Sequence, residues 1–358
     1  MRRTRLRIRL LISILLWVIF VSARAEAHPS ATEATCANCH KSKAMEQRET
    51  PMARALALPG SNFILKSHPR LTVRKGSYTY VVETHGDQTT YSVTDGSRTI
   101  TVPVRWGFGA GAQTWVLEHG GMFYESLVSF YPAIDGLDTT TGDEKLSPHN
   151  VEEAFGRELS DDDKKTCFGC HATGTQINGK LHLESLKPGL TCERCHADAS
   201  AHMAAISLKK LTPMPRDLGA LSSEGISNYC GQCHRPWDMV VRSHWRGEMN
   251  VRFQPYRLAN SRCFNGTDPR ISCVACHDPH QNLVHNTSSY DAKCLACHAS
   301  GSPLAPVPTS EVPKICPVAK GNCTSCHMPK VTLPGGSSHL TFTDHQIRIV
   351  KPGGPYPN

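Results

Sequence analysis

Seven times along this chain, two cysteines stand two residues apart with a histidine directly after the second. The copies are "CANCH" (Cys36, Cys39, His40), "CFGCH" (Cys167, Cys170, His171), "CERCH" (Cys192, Cys195, His196) and "CGQCH" (Cys230, Cys233, His234), then "CVACH" (Cys273, Cys276, His277), "CLACH" (Cys294, Cys297, His298) and "CTSCH" (Cys323, Cys326, His327). Each thiol can add across one vinyl group of a haem, and the two-residue gap lets both reach the same porphyrin edge. The next histidine then meets the ring face, where its imidazole ligates iron. Cys-x-x-Cys also builds zinc sites, but zinc places no demand on the residue after the second cysteine, and all seven copies carry histidine there. The pattern implies seven covalently bound c-type haems, with the seven motif histidines as proximal ligands.

A haem iron has a sixth position, filled by His or Met in electron carriers and left open in many catalytic sites. The chain has nineteen histidines, more than the seven motifs use. In "TCERCHADASAH", His202 follows His196 by six residues, too near in sequence to swing round to the far face of the same ring. It is better placed to reach a neighbouring haem. His280 in "CHDPH" and His345 in "SCHMPKVTLPGGSSHLTFTDHQI" repeat the arrangement. His68 in "KSHPR", His244 in "VRSHW" and Met52 in "ETPMARAL" are further candidates, Met52 being equally a core residue of a helix. His119, His285 and His339 rank below these, His85 sits in a hairpin turn, and His28, His149 and His182 have no special context. The two cysteines outside the motifs, Cys263 and Cys316, form a disulfide or remain separate thiols.

The elements that must position these residues differ between the two halves. From Met1 to Ala27, five arginines precede an apolar stretch and a run of small residues, the order of a secretory signal peptide. That segment holds six arginines and one glutamate, so the formal charge of +8 falls to about +3 without it, and a nucleic-acid-binding reading loses its support. No later stretch is long and apolar enough to cross a membrane. Residues 28–60 carry the first haem motif. Within 61–150, "SYTYVVET", "TTYSVT" and "RTITVPVRW" alternate in β-branched and aromatic residues between turn signals and predict a three-strand meander, with "MFYESLVSFY" as a candidate addition. "GFGAG" lacks the strand-to-helix context of a dinucleotide site and reads as a loop. Residues 151–347 form the six-haem region, and 348–358 a loose tail. The expected fold is mainly α with long loops organised around seven haems, plus a small antiparallel β segment inserted after the first site.

As a set, "GLTCERCHADASAH", "VRFQPYRLANSRCF", "ISCVACHDPH", "CLACH" and "NCTSCHMPK…FTDHQI" resemble the multihaem cytochrome c group containing the nitrifier tetrahaem cytochrome, hydroxylamine oxidoreductase and pentahaem nitrite reductase. The nearest likeness is to bacterial multihaem cytochromes that often carry C-terminal tetratricopeptide repeats, and it runs from Cys36 to about Ile347. The resemblance implies that His202, His280 and His345 ligate other haems. There are departures: Ala197-Asp198-Ala199 stands where the group has Gly-Pro-Gly, the repeats are absent, and no motif ends in the lysine of nitrite reductase.

Three readings follow. The first is a periplasmic or extracellular electron carrier between a quinol-oxidising membrane donor and a terminal acceptor or reductase. The second is an enzyme acting on a small nitrogen or sulfur compound at a haem with an open position, where Arg242, Arg246, Arg252 and Arg257 draw in an oxyanion. Those arginines could equally pair with haem propionates. The third is a filament subunit ligated across copies, which the histidine supply does not require.

Overall fold

A computed structural model describes residues 33–197, 199–210, 218–299, 315–334, 339–351 and 356–357. The segment Met1–Ala27, expected to be a signal peptide, and His28 lie outside them. Among the described residues no helix is long and apolar enough to cross a membrane.

The expectation of a mainly helical chain with a small β segment is overturned. The first half builds a large antiparallel sheet from β1 (Leu56–Ala57), β2 (Arg70–Lys75), β3 (Tyr78–His85), β4 (Gln88–Thr94), β5 (Thr99–Phe108), β6 (Thr114–His119) and β7 (Met122–Ser126). After the hairpin β8 (Val128–Tyr131) and β9 (Gly136–Thr139), β10 (Gly156–Glu158) joins the far edge. The spatial order is β10-β7-β6-β5-β4-β3-β2, with β1 paired to the end of β5. The described helices are short, and the longest, Ser223–His234, has 12 residues. The three strands read from the sequence are β3, β4 and β5, and the candidate addition "MFYESLVSFY" covers β7 and β8; β1, β2, β6, β9 and β10 are further strands. β2, "RLTVRK", is held in the sheet by its ladder to β3 and by Leu71 and Val73, which pack on the main core.

Strict alternation in β3 and β4 places Tyr80, Val82, Tyr91 and Val93 on one face, where they pack with Trp115, Leu117, Phe130 and Phe155 into the main core. A β-bulge at Arg105 breaks the β5 register between Val104 and Trp106. Val104 stays in that core, while Trp106 and Phe108 are re-aimed to the opposite face. There they meet Phe168, the fully buried second residue of "CFGCH", with ring centroids 5.0 and 5.2 Å away in edge-to-face contact. The bulge thus turns a sheet strand into one wall of the second Cys-x-x-Cys-His motif.

Among the described residues, the C-terminal half has little apolar core of its own. Its buried cluster is Val240, Phe253 and Tyr256. Two polar ties hold its end. Arg257 and Asp344, both fully buried, form a two-pronged ion pair at 2.8 and 2.9 Å. Arg257 also donates to the carbonyl of Pro357 at 2.8 Å and lies over the Tyr356 ring, so the chain end expected to be loose is anchored at those residues. Farther out, His339 bonds Asp138 of β9 at 2.8 Å.

Candidate functional site

A Cys-x-x-Cys pair fits one helical turn, because residues three apart share a face. Six of the seven motifs place both cysteines on helices: Asp161–His171, Cys192–Cys195, Ser223–His234, Cys273–Cys276, Asp291–His298 and Cys323–His327. Side-chain caps set several of these turns. Ser160 forms a capping box with Asp163, Ser222 accepts from Gly225 N, and Ser272 accepts from Ala275 N. In "CANCH" only the first cysteine lies on a helix, Glu33–Ala37. The backbone N–H groups of His40, His196 and His277 donate to the carbonyls of Cys36, Cys192 and Cys273 at 2.8, 2.8 and 2.9 Å, closing each motif on itself.

Three imidazole pairs then bring distant motifs together. His40 faces His202 with ring centroids 6.5 Å apart, His196 faces His280 at 5.9 Å, and His277 faces His345 at 6.2 Å. Two imidazoles bound to one metal from opposite sides, each with a bond of about 2 Å, have centroids about 6 Å apart. In every pair, the second ring comes from the segment just after a later motif.

The tautomers suit metal binding. Nδ1 of His171 bonds the Ala55 carbonyl at 2.8 Å, and Nδ1 of His327 bonds that of Arg348 at 2.9 Å. Nδ1 of His280 bonds Asp278 and Nδ1 of His345 bonds the Thr343 carbonyl, both at 2.9 Å. Holding Nδ1 this way leaves Nε2 as the metal-binding nitrogen. Burial pushes His345 down to about 4, keeping its ring neutral, the form that can ligate. Asp278, hydrogen-bonded by Lys43 at 2.8 Å, has its carboxyl held at about 2.

The motifs also touch one another. The Cys170 and Cys233 thiols are within hydrogen-bonding reach, as are Cys230 with Cys273 and Cys294 with Cys323. Tyr229 donates to the carbonyls of Arg194 and Cys195 at 3.2 and 3.0 Å. The fourth motif therefore borders the second, third and fifth. Asp291 accepts from the backbone N–H groups of Asn322 and Cys323, joining the sixth motif to the seventh.

Other candidates fall elsewhere. His68 spends both ring nitrogens, on the Ile64 carbonyl and on Asp135, each at 2.9 Å, so neither is left for iron. His244 is exposed at a positive φ of 52° just beyond the helix Trp237–Arg242. Met52 lies in a turn, not on the expected helix, and its carbonyl accepts from Leu190 N. That turn runs so close to the third motif that a Cβ on Gly189, at φ +70°, would fall 1.8 Å from the Ala53 carbonyl oxygen. Cys263 and Cys316 both carry free thiols in this structure, and the Cys263 thiol is influenced by those of Cys297 and Cys276. Arg242 pairs with Asp238, and Arg257 is committed to Asp344. Among the described residues, no histidine ring stands opposite His171, His234 or His327.

Sequence reasoning missed the Ala55 carbonyl that orients His171, since a backbone oxygen leaves no mark in the sequence. It also missed Arg235, although that residue directly follows "CGQCH".

The donor set fits haem. A porphyrin fills four iron positions and asks the protein for two thiols and one or two imidazoles per site. Among the described residues, no three His, Cys, Asp or Glu side chains converge into a cage for a bare ion. Residues 137–197, which contain the second and third motifs, match the family described as cytochrome c554 and c-prime. The match points to a c-type cytochrome with covalently bound haem, and to haem-based electron transfer with redox partners. No curated protein and no solved structure matches the chain.

Proposed function

We propose that this chain is a seven-haem c-type cytochrome, exported to the periplasm or beyond. It passes single electrons between a quinol-oxidising membrane donor and a terminal acceptor or reductase. The observation that carries this reading is the set of three histidine pairs at 5.9 to 6.5 Å, each joining a motif histidine to a residue beyond a later motif. A bound haem supplies a one-electron ferric–ferrous couple. The chain's own residues hold the imidazoles of His171, His280, His327 and His345 in fixed orientations through Nδ1, so these rings need not turn as the charge at the metal changes. Contacts between successive motifs place the attachment points side by side, as a relay of electrons requires.

The enzyme reading keeps one specific support. His171, His234 and His327 have no opposing histidine among the described residues, and arginines gather beside His234. Two measurements on the purified holoprotein separate the readings: haem content by pyridine haemochrome and low-temperature electron paramagnetic resonance of the oxidised form. Seven haems with low-spin signals from all irons support the carrier. A high-spin signal of about one iron per chain favours the enzyme. Fewer than seven haems overturns the assignment.

A further inference from the structure

Beside the fourth motif lies a cavity of about 540 Å³ lined by Cys233 and His234, by Arg235, Arg246 and Arg252, and by the rings of Trp245 and Phe253. Its volume falls in the range of cofactor and ligand pockets, about 300–1,000 Å³. Its charge is unusual. Among the described residues, none of the three arginines forms an ion pair, and Arg252 Nε is sealed from water with no hydrogen-bond partner. A buried donor left unpaired is destabilising, and more so when the group is charged. Burial and the nearby Arg235 pull the Arg252 guanidinium below its ordinary range, opposed only in part by Glu144, and the guanidinium lies 5.2 Å over the Phe253 ring. Arg235 is itself held at φ 66°, ψ 106°, a sparsely populated region for a residue with a side chain. The tight turn into Pro236 enforces this, since a Cβ on Gly231 would lie 2.7 Å from the Pro236 side chain. Three neighbouring cations, one on a strained backbone and one with a buried donor lacking a hydrogen bond, are costly unless something negative completes the site.

We propose that this cavity is an anion seat, in which Arg235, Arg246 and Arg252 together bind carboxylate or small oxyanion oxygens. Planar guanidinium forks match such groups two oxygens at a time. The same chemistry has two sources: the carboxylates of a haem attached through Cys230 and Cys233, or a free oxyanion entering beside His234. Either way, the positive charge favours the reduced state at this motif.

The inference rests on the haem assignment above, so the experiment begins with a haem count. A count below seven indicts that assignment rather than the seat. With seven haems present, the probes are a spectroelectrochemical redox titration and titrations with nitrite and sulfate followed by paramagnetic resonance. Each is run on the native protein and on Arg252→Gln, Arg246→Gln and Arg252→Lys. Arg246 is exposed, so its variant remains informative should Arg252→Gln fail to accumulate. If the anion is internal, one midpoint falls in both glutamine variants, is largely kept in Arg252→Lys, and ignores added salts. If it is free, nitrite or sulfate perturbs one haem saturably, and Arg252→Gln weakens that binding about tenfold or more. Unmoved midpoints in every variant, with no saturable response to either salt, overturn the proposal.

Discussion

A histidine directly after Cys-x-x-Cys announces its role, because attachment and ligation are both local. A second ligand is legible only as a tendency. His202, His280 and His345 follow a motif closely, and the fold brings each opposite the histidine of an earlier motif. Nothing around His68 reveals that Asp135 will claim its Nε2, since that contact spans the β2–β9 region. On the proposed assignment, His202→Ala is expected to leave the haem count unchanged and to convert one low-spin signal into a high-spin one. His68→Ala is expected to leave the resonance spectrum as it was. Loss of a low-spin signal in the His68 variant would show that the pairings are misread.

At the scale of elements, the lesson lies in β5. Its "TITVPVRWGF" pattern reads as one strand with one apolar face, and its existence is plain in the sequence. The bulge at Arg105 is not plain, because it depends on the register with β6, where Val104 opposes Leu117 and Trp106 opposes Val116. That single irregularity carries Trp106 and Phe108 to the Phe168 ring and links the sheet to the second motif. Phe168→Ala is expected to cost about 3–5 kcal/mol by denaturant melting, the penalty of emptying a closed aromatic site. Near the same face, burial pushes Asp143 up to about 6; Glu125 adds to the shift and Arg157 opposes it. Its unfolded value is about 3.9, so the folded state holds the extra proton between pH 4 and 6. Stability from this group is complete below pH 4 and is lost as pH rises through about 6. Asp143→Asn is expected to flatten that part of the stability profile in melts from pH 4 to 7. An unchanged slope would show that Asp143 does not titrate in this window.

Across the whole molecule, apolar burial is uneven. The sheet encloses a broad core of its own, whereas the described residues of the C-terminal half form one small buried cluster and many turns around the motifs. Composition hinted at this, since a polar chain with long loops needs another source of apolar surface. The sequence did not show that the sheet would be self-sufficient, because its size depends on pairings between brief strands. Protein produced without haem is therefore expected to keep a protease-resistant fragment spanning β1 to β10 while residues beyond about 200 are digested. Equal resistance of both halves would show that the C-terminal part needs no cofactor to fold.

The three histidine pairs also have a topology. The span from His40 to His202 overlaps the span from His196 to His280, and that overlaps the one from His277 to His345. Once each pair grips a metal, the chain becomes a series of interlocked loops, with "CHADASAH" and "CHDPH" as the short clasps between them. Closing a long loop costs little more than closing a short one, so widely separated staples remain affordable. Tension applied between Cys36 and the C-terminus would run through metal–nitrogen bonds rather than the peptide alone. Forced extension should then proceed in discrete ruptures, each releasing one loop.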